Sequence, residues 1–323
     1  MNAHLEVGPL NKTFLRLVQI SCIVMLSFFN IFDMQNLRTI LLPPGYDEYK
    51  IRMKQHLLCL MMAYPEHVLN LERSDDGNVY LILKSGAKLL YDDKKNKSLN
   101  EKIANPDLQD MMEQIYPLGS IDKLMDVDFD PGRVRIYPLL KEVYGANRQQ
   151  VQSNLGIVKT DYLNIKFNKS NNAAKALEAV MAELLPLAES RPEIKACVLP
   201  FSGTFYYRKI AGTDRLSPHA FGIAIDLAID KRDYWQWTSR EKGEERLKSY
   251  PQEIVHIFEK NNFIWGGKWG HFDILHFEYR PEIIMMASYF GNRRNTEEFW
   301  YEGAPMDNAL TMEYIKKIDE VIR

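Results

Sequence analysis

The stretch Ser217-Pro218-His219-Ala220-Phe221-Gly222-Ile223-Ala224-Ile225-Asp226-Leu227-Ala228-Ile229 sets a carboxylate in the middle of an apolar run, with a histidine shortly before it. A run so rich in β-branched and small apolar residues, Ile223 to Ile229, reads as a strand buried on both faces. An ionised carboxylate is costly there unless it is paired or bound to a cation. Gly222 lets the backbone turn sharply after the histidine, and Ala224 leaves room near the carboxylate. Further on, Asp273-Ile274-Leu275-His276-Phe277-Glu278 supplies a second imidazole flanked by two carboxylates. His219, Asp226 and His276 thus offer two histidines and one carboxylate, which with an open fourth position is the ligand set of a catalytic zinc. Taken singly, each has an ordinary explanation: a turn cap after Pro218, a partner for an arginine, a hydrogen-bonded core histidine. Their combination favours the metal.

The pattern Ser-x-His-x-x-Gly-x-Ala-x-Asp, from Ser217 to Asp226, followed by Asp-x-x-His-Phe-Glu, from Asp273 to Glu278, resembles the zinc peptidases that cut peptidoglycan. These are the D-alanyl-D-alanine carboxypeptidases and dipeptidases and the L-alanyl-D-glutamate endopeptidases, related in fold to the Hedgehog signalling domain. The similarity covers Asn164 to Glu282 and takes in Phe201-Ser202-Gly203-Thr204, Arg208 and the stretch Phe263-Ile264-Trp265-Gly266-Gly267-Lys268-Trp269. The resemblance implies that His219, Asp226 and His276 bind Zn2+. It implies that Asp273, three positions before the last histidine, is the general base, and that Arg208 meets the substrate carbonyl or carboxylate. Many members carry Glu where this chain has Asp273, so the base here reaches from a shorter arm.

Amide hydrolysis at neutral pH needs an activated nucleophile, and zinc lowers the pKa of its bound water to about 7. A second carboxylate must take the proton and pass it to the leaving amine. Asp273 is the first candidate, because a residue three before a ligand can hang over the open coordination position. Glu278 is the second: in a regular strand it shares a face with His276, either as the base or as the group that orients the histidine. Arg208 lies in Thr204-Phe205-Tyr206-Tyr207-Arg208-Lys209, where an aromatic ladder suggests a strand or groove wall. A fixed guanidinium there suits an oxyanion or a peptide carboxylate. Tyr206, Tyr207, Trp265 and Trp269 read as core or wall aromatics, His256 as the surface of an amphipathic helix over Tyr250 to Asn262, and His271 as a bystander. A non-catalytic, zinc-containing cell-wall-binding module is the alternative function, as the Hedgehog relatives illustrate.

The chain has 323 residues, 41 Lys and Arg against 43 Asp and Glu, and a net charge of −2. Two units are expected from that length. Near-neutral charge without a concentrated basic face argues against a nucleic-acid partner; peptidoglycan peptides are the partner that the resemblance implies. Three cysteines, Cys22, Cys59 and Cys197, are too few and too far apart for a disulfide framework or a cysteine zinc site. Lys12 and Arg16 precede the apolar stretch Leu17 to Phe29, which reads as an export signal or an uncleaved membrane anchor over residues 1–30. A bacterial periplasmic or cell-envelope location follows.

Residues 45–160 read as an N-terminal α/β extension that proposes no catalysis, and residues 161–323 as the peptidase domain. Val68 to Leu71 and Val79 to Leu83 flank the turn Ser74 to Asn78 as a hairpin, with a third strand at Ala87 to Tyr91 and an exposed loop over Asp92 to Lys102. Helices are expected at Asp107 to Ile115 and Tyr137 to Tyr144, separated by turn chemistry at Asp130-Pro131-Gly132-Arg133. Asn171 to Leu187 has helical periodicity and an asparagine cap. Strands at Lys195 to Phe201, Ile223 to Ile229 and Ile274 to Tyr279 would carry the site, Asp233 to Lys242 would be a polar insertion, and two tail helices, one over Met312 to Ile322, would pack outside. The fold class is α+β, with a small, mostly antiparallel sheet flanked by helices.

Overall fold

In the computed structural model, which describes residues 47–323 apart from Asn292 and Arg294, the chain divides into the units Met1–Asp47 and Glu48–Arg323. The export or anchor segment expected over residues 1–30 lies outside the described residues. The second unit opens with helix α1 (Glu48–Ala63), whose Leu57, Leu58 and Leu60 are fully buried. Strands β1 (Val68–Arg73), β2 (Val79–Leu83) and β3 (Lys88–Leu90) follow as an antiparallel meander. Gly77, at φ +86°, closes the first turn and donates its N–H to Ser74 O at 2.9 Å, as the Asp-Gly signal predicts. The loop expected up to Lys102 ends sooner, because Ser98 and Glu101 cap each other's backbone and start α2 (Leu99–Ala104). Asp107 and Asp110 do the same for α3 (Leu108–Met112). Helix α4 (Tyr137–Tyr144) forms as expected, and the short α5 (Arg148–Asn154), capped by Asn147, was not anticipated.

Residue 160 falls between β4 (Leu155–Lys159) and β5 (Asn164–Asn168), which pair directly. Helix α6 (Ala173–Ser190) lies where its periodicity places it, but its asparagine acts differently from the expectation. Asn172 makes no side-chain cap bond; it occupies the left-handed region at φ 59°, which asparagine tolerates better than most residues. The strand expected from Lys195 to Phe201 is instead α7 (Pro192–Val198). Pro192 starts a helical turn, and Ile194, Cys197 and Val198 bury at helical spacing, with no alternation between two faces.

The motif region holds α8 (Pro218–Phe221), β6 (Ala224–Asp226), α9 (Arg240–Ser249), α10 (Gln252–Lys260), β7 (Phe263–Trp265) and β8 (His276–Tyr279). The sheet order is β6-β8-β7, antiparallel throughout, so the α+β class stands. Both motif strands are shorter than expected. Ile229 leaves the sheet and is 62% exposed, while a turn bonding His276 N–H to Asp273 O at 3.1 Å delays the start of β8. The polar insertion at Asp233 to Lys242 runs into α9, and Asp233 itself is buried against Arg246 at 2.8 Å. Of the tail helices, α11 (Pro281–Phe290) is no outer layer: it packs on α1 with Ile283, Ile284, Met286 and Phe290 buried. Helix α12 (Ala309–Val321) also rests on α1.

Residues 125–137 cross the motif region as a strap. Gly270 donates to Phe129 O at 2.7 Å and Trp269 Nε1 to Pro131 O at 2.8 Å. Gly270 has to be glycine for this approach, since a Cβ would sit 1.9 Å from Asp126 O.

His56 on α1 is 3% exposed, with Nδ1 3.0 Å from the Tyr91 hydroxyl. Burial, helped by Arg52, drives its pKa down to about 3. Its folded pKa lies below the unfolded value, so its contribution to stability is present above the unfolded pKa and declines as pH falls. Urea unfolding at several pH values between about 6.5 and 3 should show the wild type losing about 1.4 kcal/mol per pH unit more than His56→Gln. Equal slopes would refute a buried neutral imidazole.

Candidate metal centre

Antiparallel pairing of β6 with β8 makes Asp226 and His276 direct partners, which sets their side chains on one face of the sheet. His276 Nδ1 lies 2.8 Å from Asp226 Oδ1. The third member arrives from α8. Pro218 occupies the first turn, and Gly222, at φ +69°, ends the helix so that the chain reverses into β6. This brings His219 Nε2 to 3.2 Å from Asp226 Oδ1 and 3.3 Å from His276 Nδ1. One ligand atom from each of His219, Asp226 and His276 lies within 4.8 Å of the others. His219 Nδ1 is 2.8 Å from Thr204 O, so it donates to that carbonyl and leaves the Nε2 lone pair facing the cluster.

The donor set fits a divalent cation. Burial works to raise Asp226, yet His219 and His276 hold its carboxyl well below the usual carboxylate range. Burial likewise opposes a charge on His276, but hydrogen bonding to Asp226 and Glu278 pushes it up to about 10. The cluster therefore demands positive charge at the point where its lone pairs meet. Two imidazoles and one carboxylate satisfy that demand with zinc-type donors.

Glu278 is fully buried on β8, with Oε2 3.8 Å from His276 Nε2, on the side of the ring away from Asp226. Arg135 grips it through Nε at 2.8 Å to Oε1 and Nη2 at 2.5 Å to Oε2. Burial would raise this carboxyl, but Arg135 holds it far below its ordinary range. Asp273 is different. Burial lifts it to about 7, with His276 and His219 pulling down and Asp226 pushing up. A single antiparallel bridge pairs Asp273 with Tyr234, so both side chains leave the same face. Arg208 is exposed in the irregular stretch after Gly203, where its carbonyl accepts from Ser217 at 3.0 Å. The ladder expected around it is not a strand, and Tyr206 is 67% exposed. Burial raises the Tyr234 phenol, with Asp273 adding to the shift and Arg133 and Arg208 opposing it.

The remaining candidates fall elsewhere. His256 is exposed on α10, and Trp265 and Trp269 are buried core residues. His271 stays outside the cluster but is not idle, since Nδ1 meets Asp130 of the strap at 2.7 Å. Asp92, Asp93 and Asp107 also converge within 4.8 Å, but Lys97 already neutralises that group through Asp93 at 3.0 Å and Asp107 at 2.8 Å.

Two contributors escaped the sequence reading. Gly203 bridges Asp226, and a Cβ there would come within 2.8 Å of Asp226 Oδ2. Arg135 lies two residues beyond the turn Asp130-Pro131-Gly132-Arg133, and nothing in its local sequence marks it. Gly203→Ala should displace the Asp226 carboxylate and weaken divalent-metal binding by about 10- to 100-fold, the usual cost of disturbing a ligand's surroundings. Chelator-competition titration measures this, and an unchanged affinity would contradict the crowding.

A family model described as D-alanyl-D-alanine carboxypeptidase matches residues 211–279. The matched segment contains His219, Asp226, Asp273, His276 and Glu278 but begins after Arg208. Neither the curated proteins nor the solved structures gave a match. Peptidases of this family are metal-dependent, and the His219, Asp226 and His276 group meets that requirement. The match supports, for this segment, the D-alanyl-D-alanine carboxypeptidase family that the two motifs resemble, and with it a peptidoglycan-related metallopeptidase in general.

Proposed function

We propose that the chain is a zinc-dependent peptidase that hydrolyses peptidoglycan stem peptides, as a D,D-carboxypeptidase or an endopeptidase, in the bacterial cell envelope. The observation that carries this reading is the convergence of His219, Asp226 and His276 within 4.8 Å. When bound, zinc would lower the pKa of water to about 7 and polarise the scissile carbonyl. Asp273 takes the proton of the attacking water and delivers it to the leaving amine nitrogen. Burial favours the protonated form of this carboxyl, so it can both accept that proton and return it. Arg208, exposed in the stretch between Gly203 and the first histidine, holds the peptide carboxylate or the developing oxyanion by charge-assisted hydrogen bonds. Glu278, buried and gripped by Arg135, serves to orient His276 and does not carry the proton.

Purified peptidoglycan incubated with the enzyme should release peptides whose masses identify the bond cut. Metal-stripped protein should release none until zinc is restored. Asp273→Ala should keep its zinc but lose about 100- to 10,000-fold in kcat, the usual share of a general base, and Arg208→Met should chiefly raise KM. Sacculus binding without any product from the zinc-loaded wild type would overturn the enzyme in favour of a binding module.

A further inference from the structure

We infer that Arg135, on the strap that precedes the peptidase motifs, is a positioning residue of the metal centre, acting on His276 through Glu278; the inference rests on the metal reading above. Arg135 is 7% exposed and Glu278 fully buried. Its Nε reaches Oε1 at 2.8 Å and Oε2 at 3.2 Å, while Nη2 reaches Oε2 at 2.5 Å. A planar guanidinium bonded to both oxygens fixes the carboxylate plane in a way that a point charge does not. The fixed carboxylate stands 3.8 Å from His276 Nε2, opposite the Nδ1 that faces Asp226 and His219. Imidazole ligands owe ring orientation and basicity to the group at their second nitrogen.

The neighbouring arginine does not duplicate this grip. Arg280 lies 3.5 Å from Glu278, but its Nε bonds Glu282 at 2.5 Å and its remaining nitrogens bond the strap carbonyls of Gly132 and Val134. Arg280 thus ties down the strap, and the strap presents Arg135. Asp130, which meets His271 through both the backbone N–H at 3.0 Å and Nδ1 at 2.7 Å, anchors the same segment from the other side. Residues 125–137, outside the matched segment 211–279, therefore complete the surroundings of a metal ligand.

The test uses the full chain as wild type, Arg135→Met, Arg135→Lys, and the double variant Arg135→Met/Glu278→Gln. Zinc affinity is read by chelator competition, ring geometry by the visible spectrum of the cobalt-substituted protein, and folding by thermal melting. Arg135→Met should bind zinc about 10- to 100-fold more weakly with an altered cobalt spectrum, and Arg135→Lys should fall between it and wild type. If Arg135→Met melts early because it leaves Glu278 only the longer 3.5 Å pairing with Arg280, the double variant removes that under-compensated charge. It should regain stability while zinc affinity stays low, which a purely structural role would not produce. Wild-type affinity and spectrum in a folded Arg135→Met or in the double variant would overturn the inference alone. A wild type that takes up no zinc would bring down the metal reading and this inference with it.

Discussion

The Asp226 carboxylate, set among Ile223, Ile225 and Leu227 and facing His276 across the sheet, is the constraint around which the motif region is arranged. A charge in that setting costs several kcal/mol unless paired, bonded or bound to a cation. Every neighbouring feature answers that cost. β8 delivers one imidazole in register, α8 and its left-handed Gly222 deliver another, and Gly203 keeps the space over the carboxylate open. The result is three donor atoms within 4.8 Å of one another.

The surroundings of that cluster are charged as well, yet almost nothing there is left unpaired. Arg135, Glu278, Arg280, Glu282 and the Tyr64 hydroxyl form a buried chain from the strap through β8 to α1, with Tyr64 donating to Glu282 at 2.7 Å. Buried ion pairs of this sort add little net stability but penalise any arrangement that breaks them. Such a chain makes register specific: slipping β8 by one residue would move Glu278 off Arg135 and His276 off Asp226 together. A second group, Lys268 with Glu259, Tyr116 and the carbonyls of Pro117 and Gly119, fastens the preceding loop to α10 in the same manner.

Local chemistry made much of the fold readable in advance. The Asp-Gly hairpin, the capped helix at Asp107 and the long helical period before Ser190 depend on neighbours a few residues away, and they appear where those neighbours predict. The misreadings share a different cause. At Lys195 to Phe201 a short apolar run suits either a strand or a helix, and Pro192 together with burial at helical spacing decided for the helix. At α11 the exterior position inferred for the tail failed because packing against α1, more than 200 residues earlier, and against β7 makes it an inner helix with Ile283 and Ile284 buried.

The sequence by itself determined which residues can bind a metal, because a carboxylate in an apolar strand and two histidines near it advertise an unmet need for charge at fixed spacing. Only the tertiary structure separated the two acidic neighbours of His276. Asp273 and Glu278 look equivalent as letters, but burial raises one to about 7 against the pull of His276 and His219, while the fork of Arg135 pins the other in its ionised form. Arg135 stands 143 residues from Glu278, and proximity of that kind is set by how the strap crosses the sheet, a relation that no local pattern encodes.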